Sequence, residues 1–152
     1  MWYNYLPGVN LHYAVKTNSD ERLLKKLIDL GQNFDCASAG EMKKVIKLGA
    51  DPKDIIFANS CKQEEHIKVA RQQGVKLMTV DSVEELTKIH SIYPEAELVL
   101  RISVEDTDAP CPVSGMKFGA PKQSWDQFLD EAQFRCMNIR GVSFHVGSGG
   151  VS

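Results

Sequence analysis

The chain has 152 residues, 43% of them hydrophobic and 25% charged, with a formal net charge of −2. That profile is one of an ordinary soluble globular protein with a single core. It offers no basic footprint for nucleic acid or an anionic membrane, no apolar run near the ~20 residues of a membrane span, and no signal peptide at Met1 to Asn10.

Short apolar or β-branched runs alternate with helical patterns along the chain. The runs are Leu11 to Val15, Asn33 to Cys36, Ile55 to Ala58, Leu77 to Val80, Leu98 to Ile102 and Gly141 to Val146. Between the first two, Leu23, Leu24, Leu27 and Ile28 share one helical face, and Met42, Val45 and Ile46 share another after Cys36. Gly31, Gly49 and Gly74 stand where helix ends call for a left-handed residue. Ser38 with Glu41, Ser60 with Gln63 and Ser82 with Glu85 form three capping boxes that recur every 22 residues. One strand, one capped helix and two short turns fit that period, which predicts right-handed βαβ units and a parallel sheet. The segment Ser103 to Pro121 is rich in Asp, Pro, Gly and Ser, so it reads as one long loop before a last helix at roughly Ser124 to Asn138.

No G-x-G-x-x-G or P-loop follows the first run. The expected fold is therefore an incomplete (β/α)8 barrel of the α/β class. A full barrel takes about 250 residues, so about six of its eight units are expected here. Cys36, Cys61, Cys111 and Cys136 show no C-x-x-C pairing or metal-ligand spacing. They are expected to be free thiols in the cytoplasm.

In a barrel the chemistry lies where strands end. The strand ends carry Lys16, Asp35, Asn59, Asp81, Arg101 and His145. Asp81 is expected to help cap the following helix, and for Asn59 that role is the alternative to a place in the site. Lys16 follows the largely apolar His12-Tyr13-Ala14-Val15, a setting that favours the neutral amine able to add to a carbonyl. Asp35 could pair with that lysine while it is charged. His145 leads into Gly147, Ser148, Gly149 and Gly150, where backbone N–H groups and a hydroxyl could approach a phosphate and the imidazole could stack on a flat ring. His66 and His90 are expected on helix surfaces, and Trp2 and Trp125 as core or cover.

Tyr13-Ala14-Val15-Lys16-Thr17-Asn18 resembles the lysine motif of the fold-type III decarboxylases that use pyridoxal 5'-phosphate. Phe34-Asp35-Cys36-Ala37-Ser38, Ala58-Asn59 with Cys61-Lys62-Gln63, Leu98 to Ile102, Lys117-Phe118-Gly119-Ala120 and Gly141 to Gly149 are similar to the ornithine decarboxylase branch of that family. The resemblance implies that Lys16 is the Schiff-base lysine and that His145 stacks on the pyridine ring. Ser148 would bind the cofactor phosphate, with Asp35 and Arg101 near the cofactor. It implies decarboxylation of ornithine to putrescine by a longer parent that forms a homodimer and answers to an antizyme-like regulator.

Family features expected beyond Ser152 are a Gly-rich phosphate loop, a Glu for the pyridine nitrogen and a C-terminal β-domain. The 152 residues alone are accordingly expected to be an inactive, poorly soluble fragment, with open strand edges that are apolar on both faces. Three alternatives remain. One is a non-catalytic, antizyme-inhibitor-like binding protein. Another is a decarboxylase for lysine, arginine or diaminopimelate. The third is a small cofactor-binding barrel without decarboxylase activity.

Overall fold

The structure, a computed structural model, describes residues 2–104 and 118–145. After a short helix α1 (Trp2–Tyr5), strands and helices alternate strictly. They run β1 (His12–Ala14), α2 (Glu21–Asp29), β2 (Asn33–Cys36), α3 (Ala39–Lys47), β3 (Ile55–Phe57), α4 (Glu64–Gln73), β4 (Leu77–Val80), α5 (Val83–Ile92), β5 (Glu97–Arg101), α6 (Trp125–Phe134) and β6 (Asn138–Ser143). Among the described residues the six strands are all parallel, and their spatial order is their order in the chain. A doubly wound sheet reverses its strand order partway across. Sequential order without reversal is the wall of a barrel, the fold expected from the missing Gly-rich nucleotide loop.

Alternation along each strand divides the wall into two faces. Phe34 and Cys36, Ile55 and Phe57, Met78 and Val80, and Leu98 and Leu100 are buried. They pack with Leu24, Met42, Val45, Ile67, Leu86, Ile89 and Phe128 from the helices. Burying one such side chain contributes about 1.5–3 kcal/mol, so this outer layer is the core. The other face corrects one expectation, because it is not apolar throughout. Its half-buried positions include Asn33, Asp35, Glu97 and Arg101 beside Ile56, Leu77 and Val99.

The helix ends match the glycine reading, with φ of +68° at Gly31, +111° at Gly49 and +77° at Gly74. The helix starts match it less uniformly. Ser38 Oγ accepts from Glu41 N at 3.3 Å, and Ser82 Oγ accepts from Glu85 N at 3.2 Å. The reciprocal arm of the first box reaches Ala37 N instead, at 2.5 Å. The Ser60 box does not form: α4 starts at Glu64 behind Gln63, and the buried Ser60 hydroxyl has no partner among the described residues.

Lys62 explains the delay. Its side chain is buried, and its ammonium donates to Asn59 O at 2.8 Å, Thr79 O at 2.6 Å and Glu85 Oε1 at 3.1 Å. That inward hook holds residues 59–62 in a loop, so the helix can begin only past it. Glu85 also accepts from Lys62 N at 3.1 Å and pairs with Lys88 Nζ at 2.6 Å, which is why it does not turn back to complete its own capping box.

The last unit departs in two places. α6 ends at Phe134, ahead of the expected Asn138, because Cys136 takes φ +54° and turns the chain as a glycine would. β6 begins at Asn138, ahead of Gly141, with a bulge that pairs Leu98 with Ile139 but Val99 with Gly141. His66 and His90 are half-buried, and the His66 ring lies 6.5 Å from that of Phe57.

Removing one partner of a buried charge pair strands the other and costs about 3–5 kcal/mol. Glu85→Ala is therefore expected to lower stability by roughly that amount, read as a lower denaturant midpoint at unchanged slope. The double variant Lys62→Met with Glu85→Leu should recover most of the loss. Equal loss in both variants would show that packing, and not charge, is what Glu85 supplies.

Candidate functional site

Lys16 sits on a single 3-10 turn, Val15–Thr17, directly after β1. Val15 is fully buried and anchors that turn, while Lys16 itself is exposed. This corrects the expected apolar setting: the strand stops at Ala14, and the turn carries the lysine past the wall into solvent. The loop beyond it is tied down. Tyr13 Oη donates to Asn18 O at 3.1 Å, Asn18 Oδ1 accepts from Asp20 N at 2.9 Å, and Lys44 Nζ donates to Ser19 O at 2.6 Å.

Asp35 lies on the neighbouring strand, with Ala14 opposite it in register. It alternates with the buried Phe34 and Cys36, so it faces away from the helices. Burial pushes its carboxyl above the usual carboxylate range. The charge of Lys16 works against that shift, Glu41 adds to it, and His12 opposes it more weakly. The Cys36 thiol is pushed up to about 12, by burial first and then by Glu41 and Asp35. It is a neutral thiol packed in the core, with no nucleophilic character at neutral pH.

Arg101 ends β5, and Ser143 stands opposite it on β6. Among the described residues the buried Ser143 hydroxyl has no hydrogen-bond partner. His145 follows two residues later and is exposed. The fold thus brings Lys16 beside Asp35, and Arg101 beside Ser143 with His145 two residues further along the chain, on one rim with β3 and β4 between the two groups. Ser148 lies outside the described residues.

Asn59 does not cap α4, which starts behind Gln63; its Oδ1 accepts from Cys61 N at 3.2 Å in the loop before it. Asp81 does not cap α5. Ser82 does that, and Asp81 Oδ2 instead accepts from Gly119 N at 3.0 Å, where the long loop returns to the rim. That return also puts the Phe118 ring 5.5 Å from the Arg101 guanidinium. The sequence gives Phe118 and Gly119 only as part of a motif, because a contact across 38 residues leaves no periodic trace. Among the described residues, no helix is long and apolar enough to cross a membrane.

Residues 1–151 match the pyridoxal-binding domain of the pyridoxal-dependent decarboxylases. The chain is 49% identical over 148 residues to an ornithine decarboxylase of Neurospora crassa, covering 97% of this chain and 30% of the relative. It is 45% identical over 144 residues to antizyme inhibitor 2 of Xenopus laevis, covering 95% and 31%. The crystal structure of the Paramecium bursaria Chlorella virus arginine decarboxylase superimposes with a TM-score of 0.91 at 44% identity, covering 99% of this chain and 40% of that one. The chain therefore spans about a third of the length of the relatives it matches. A sequential parallel wall, a lysine on the first strand's turn and a match over nearly every residue lead to one assignment: the chain belongs to the pyridoxal-binding domain family of the pyridoxal-dependent decarboxylases.

Proposed function

We propose that the full-length protein carrying this domain decarboxylates L-ornithine to putrescine with pyridoxal 5'-phosphate, and that Lys16 holds the cofactor covalently. One observation carries the reading: Lys16, Asp35, Arg101 and His145 stand at the ends of parallel strands on a single rim. The donor set suits the cofactor. An exposed primary amine can condense with an aldehyde, an exposed imidazole offers a face to a flat ring, and the Ser143 hydroxyl, unpartnered among the described residues, and the Arg101 guanidinium can meet anionic oxygens. When bound, pyridoxal phosphate withdraws electrons from the substrate's α-carbon so that the carboxyl group can leave as CO₂.

The chain's own residues supply the rest. Lys16 is presented by a turn anchored on Val15, so its amine has a fixed origin and a free end. Asp35, on the next strand, is the carboxylate that interacts with the charge of that amine. His145 and Arg101 bound the other side, and Ser148 is proposed for the phosphate. Residues 1–152 would form about six of eight barrel units, with the remainder and a C-terminal β-domain supplied by the longer chain. A homodimer, an antizyme-like regulator and a cytoplasmic location complete the proposal.

The 45% identity to an antizyme inhibitor favours a second reading, a regulatory binding protein. The two diverge on one measurement, CO₂ release by the full-length protein. Ornithine should be turned over in preference to lysine, arginine and diaminopimelate. Turnover of none of them would establish the regulatory reading, and preference for another amino acid would replace the substrate.

Borohydride reduction of the full-length protein with its cofactor, followed by peptide mapping, should place the pyridoxyl group on Lys16. Labelling of Lys62 would overturn the assignment. Lys16→Ala should abolish the covalent link, as should Lys16→Arg, since a guanidinium stays protonated.

Asp35 gives a prediction with a definite sign. Its folded pKa lies above its unfolded value of 3.8, so the folded state holds the proton more tightly. Stability therefore falls as pH rises from 3.8 through the folded value, and the ionised carboxylate is a standing cost at neutral pH. Without cofactor, Asp35→Asn should raise the thermal midpoint at pH 7 and narrow the gap to its midpoint at pH 4. A lower midpoint at pH 7 would mean that the attraction to Lys16 outweighs the cost of burial.

A further inference from the structure

The return of the long loop to the rim has contacts that the proposed cofactor roles leave unused. Phe118 is 61% exposed, so the core does not hold its ring. Its backbone is held instead. Gly119 has φ +117°, and a Cβ there would lie 2.7 Å from Ile102 C and O and from Ser103 N. Only glycine lets the turn lie so flat on the end of β5. Around that contact, Asp81 Oδ2 accepts from Gly119 N at 3.0 Å and Ala120 N donates to Arg101 O at 2.8 Å. Ala120 O accepts from Ser103 N at 2.9 Å and from Trp125 Nε1 at 3.0 Å. Ala120 takes up beside β5 the place that β4 leaves after Val80, and Asp81, the next residue, closes the gap.

The outcome of all this bonding is an exposed phenyl ring 5.5 Å from the Arg101 guanidinium. Among the described residues the guanidinium makes no ion pair, and it lies over the Phe118 ring. An aromatic face attracts a cation, and a planar guanidinium stacks on it well. We propose that Phe118 and Asp81 are positioning residues for Arg101: the Asp81 carboxylate pins the Phe118–Gly119 turn, and the pinned ring fixes the guanidinium at the rim. The consequence for cofactor binding rests on the reading of Arg101 given above, whereas the positioning itself does not.

The test uses the full-length protein with pyridoxal phosphate, and the variants Phe118→Leu, Phe118→Trp, Asp81→Ala, Asp81→Asn and Arg101→Ala. Two quantities are read: the place of the guanidinium in crystal structures, and the cofactor dissociation constant. Phe118→Leu keeps apolar bulk but removes the π face. It should release the guanidinium and weaken cofactor binding roughly two- to thirtyfold, while Phe118→Trp stays close to wild type. Asp81→Ala should act like Phe118→Leu. Asp81→Asn should not, because an amide oxygen still accepts from Gly119 N. In the Arg101→Ala background Phe118→Leu should cost nothing further, a result that a merely structural role would not give.

A guanidinium that keeps its place in Phe118→Leu would overturn the proposal. So would an undiminished Phe118→Leu effect in the Arg101→Ala background. If instead the guanidinium moves and cofactor affinity holds, the positioning stands and Arg101's part in holding the cofactor falls.

Discussion

Past the last residue of each strand the backbone leaves the sheet, and its polar groups need new partners. In this domain side chains from adjacent units supply them, one step at a time around the rim. Lys44 of the second unit donates to Ser19 O in the first, at 2.6 Å. Asn59 Nδ2 of the third reaches back to Ala37 O in the second, at 3.4 Å. Lys62 crosses from the third to Thr79 O in the fourth, and Asp81 of the fourth accepts from Gly119 N in the fifth. Several of these bonds carry a charge on one partner, which strengthens them. Lys16, Asp35 and Arg101 all stand on loops or strand ends within this girdle, so their spacing is set by long-range bonds as much as by the strands beneath.

The strands contribute direction. Because they run parallel and in order, every one ends on the same side, and alternation decides which residues face the helices. β2 shows the economy of this in four residues, with Phe34 and Cys36 buried beneath helices and Asn33 and Asp35 turned the other way. The same two-residue period that builds the core thus delivers a carboxylate next to the lysine turn. Delivery has a cost, since Asp35 is partly desolvated and its ionised form is disfavoured. The apolar burial on either side offsets it, and core and site are coupled through a single strand.

This division explains what the sequence made legible. Period and alternation are local, so the six strands, five of the following helices and the barrel order could be read from residues alone. Lys16, Asp35, Arg101 and His145 stood out because a core strand has no packing reason to end in a charged residue. The girdle was not legible, since each of its members has a plausible local role. Glu85 reads as the arm of a capping box and Asp81 as a helix cap, yet one meets Lys62 across 23 residues and the other Gly119 across 38. Ser60 misled for the same reason, because its box is correct in spacing but a buried lysine two residues on holds the loop open. The early start of β6 at Asn138 was not legible either, and the bulge there shifts its register against β5 between Ile139 and Gly141.

Lys62 poses the last question, because a buried ion pair seldom adds net stability over apolar side chains of similar size. Desolvation pulls its pKa down, with the charge of Lys88 adding to the shift, against the charge and hydrogen bond of Glu85. What an apolar residue could not do is bind three oxygens at fixed positions. The ammonium ties the end of β3 through Asn59 O, the body of β4 through Thr79 O, and α5 through Glu85. Lys88 closes the same circuit by donating to Lys62 O at 2.6 Å. Apolar contacts are non-directional and would let these three elements slide by fractions of an ångström. Asp81 stands two residues beyond Thr79, so such a slide would pass directly to the turn that presents Phe118 to Arg101. The buried lysine gives up transfer energy and in exchange sets the register at the rim, one step removed from the chemistry.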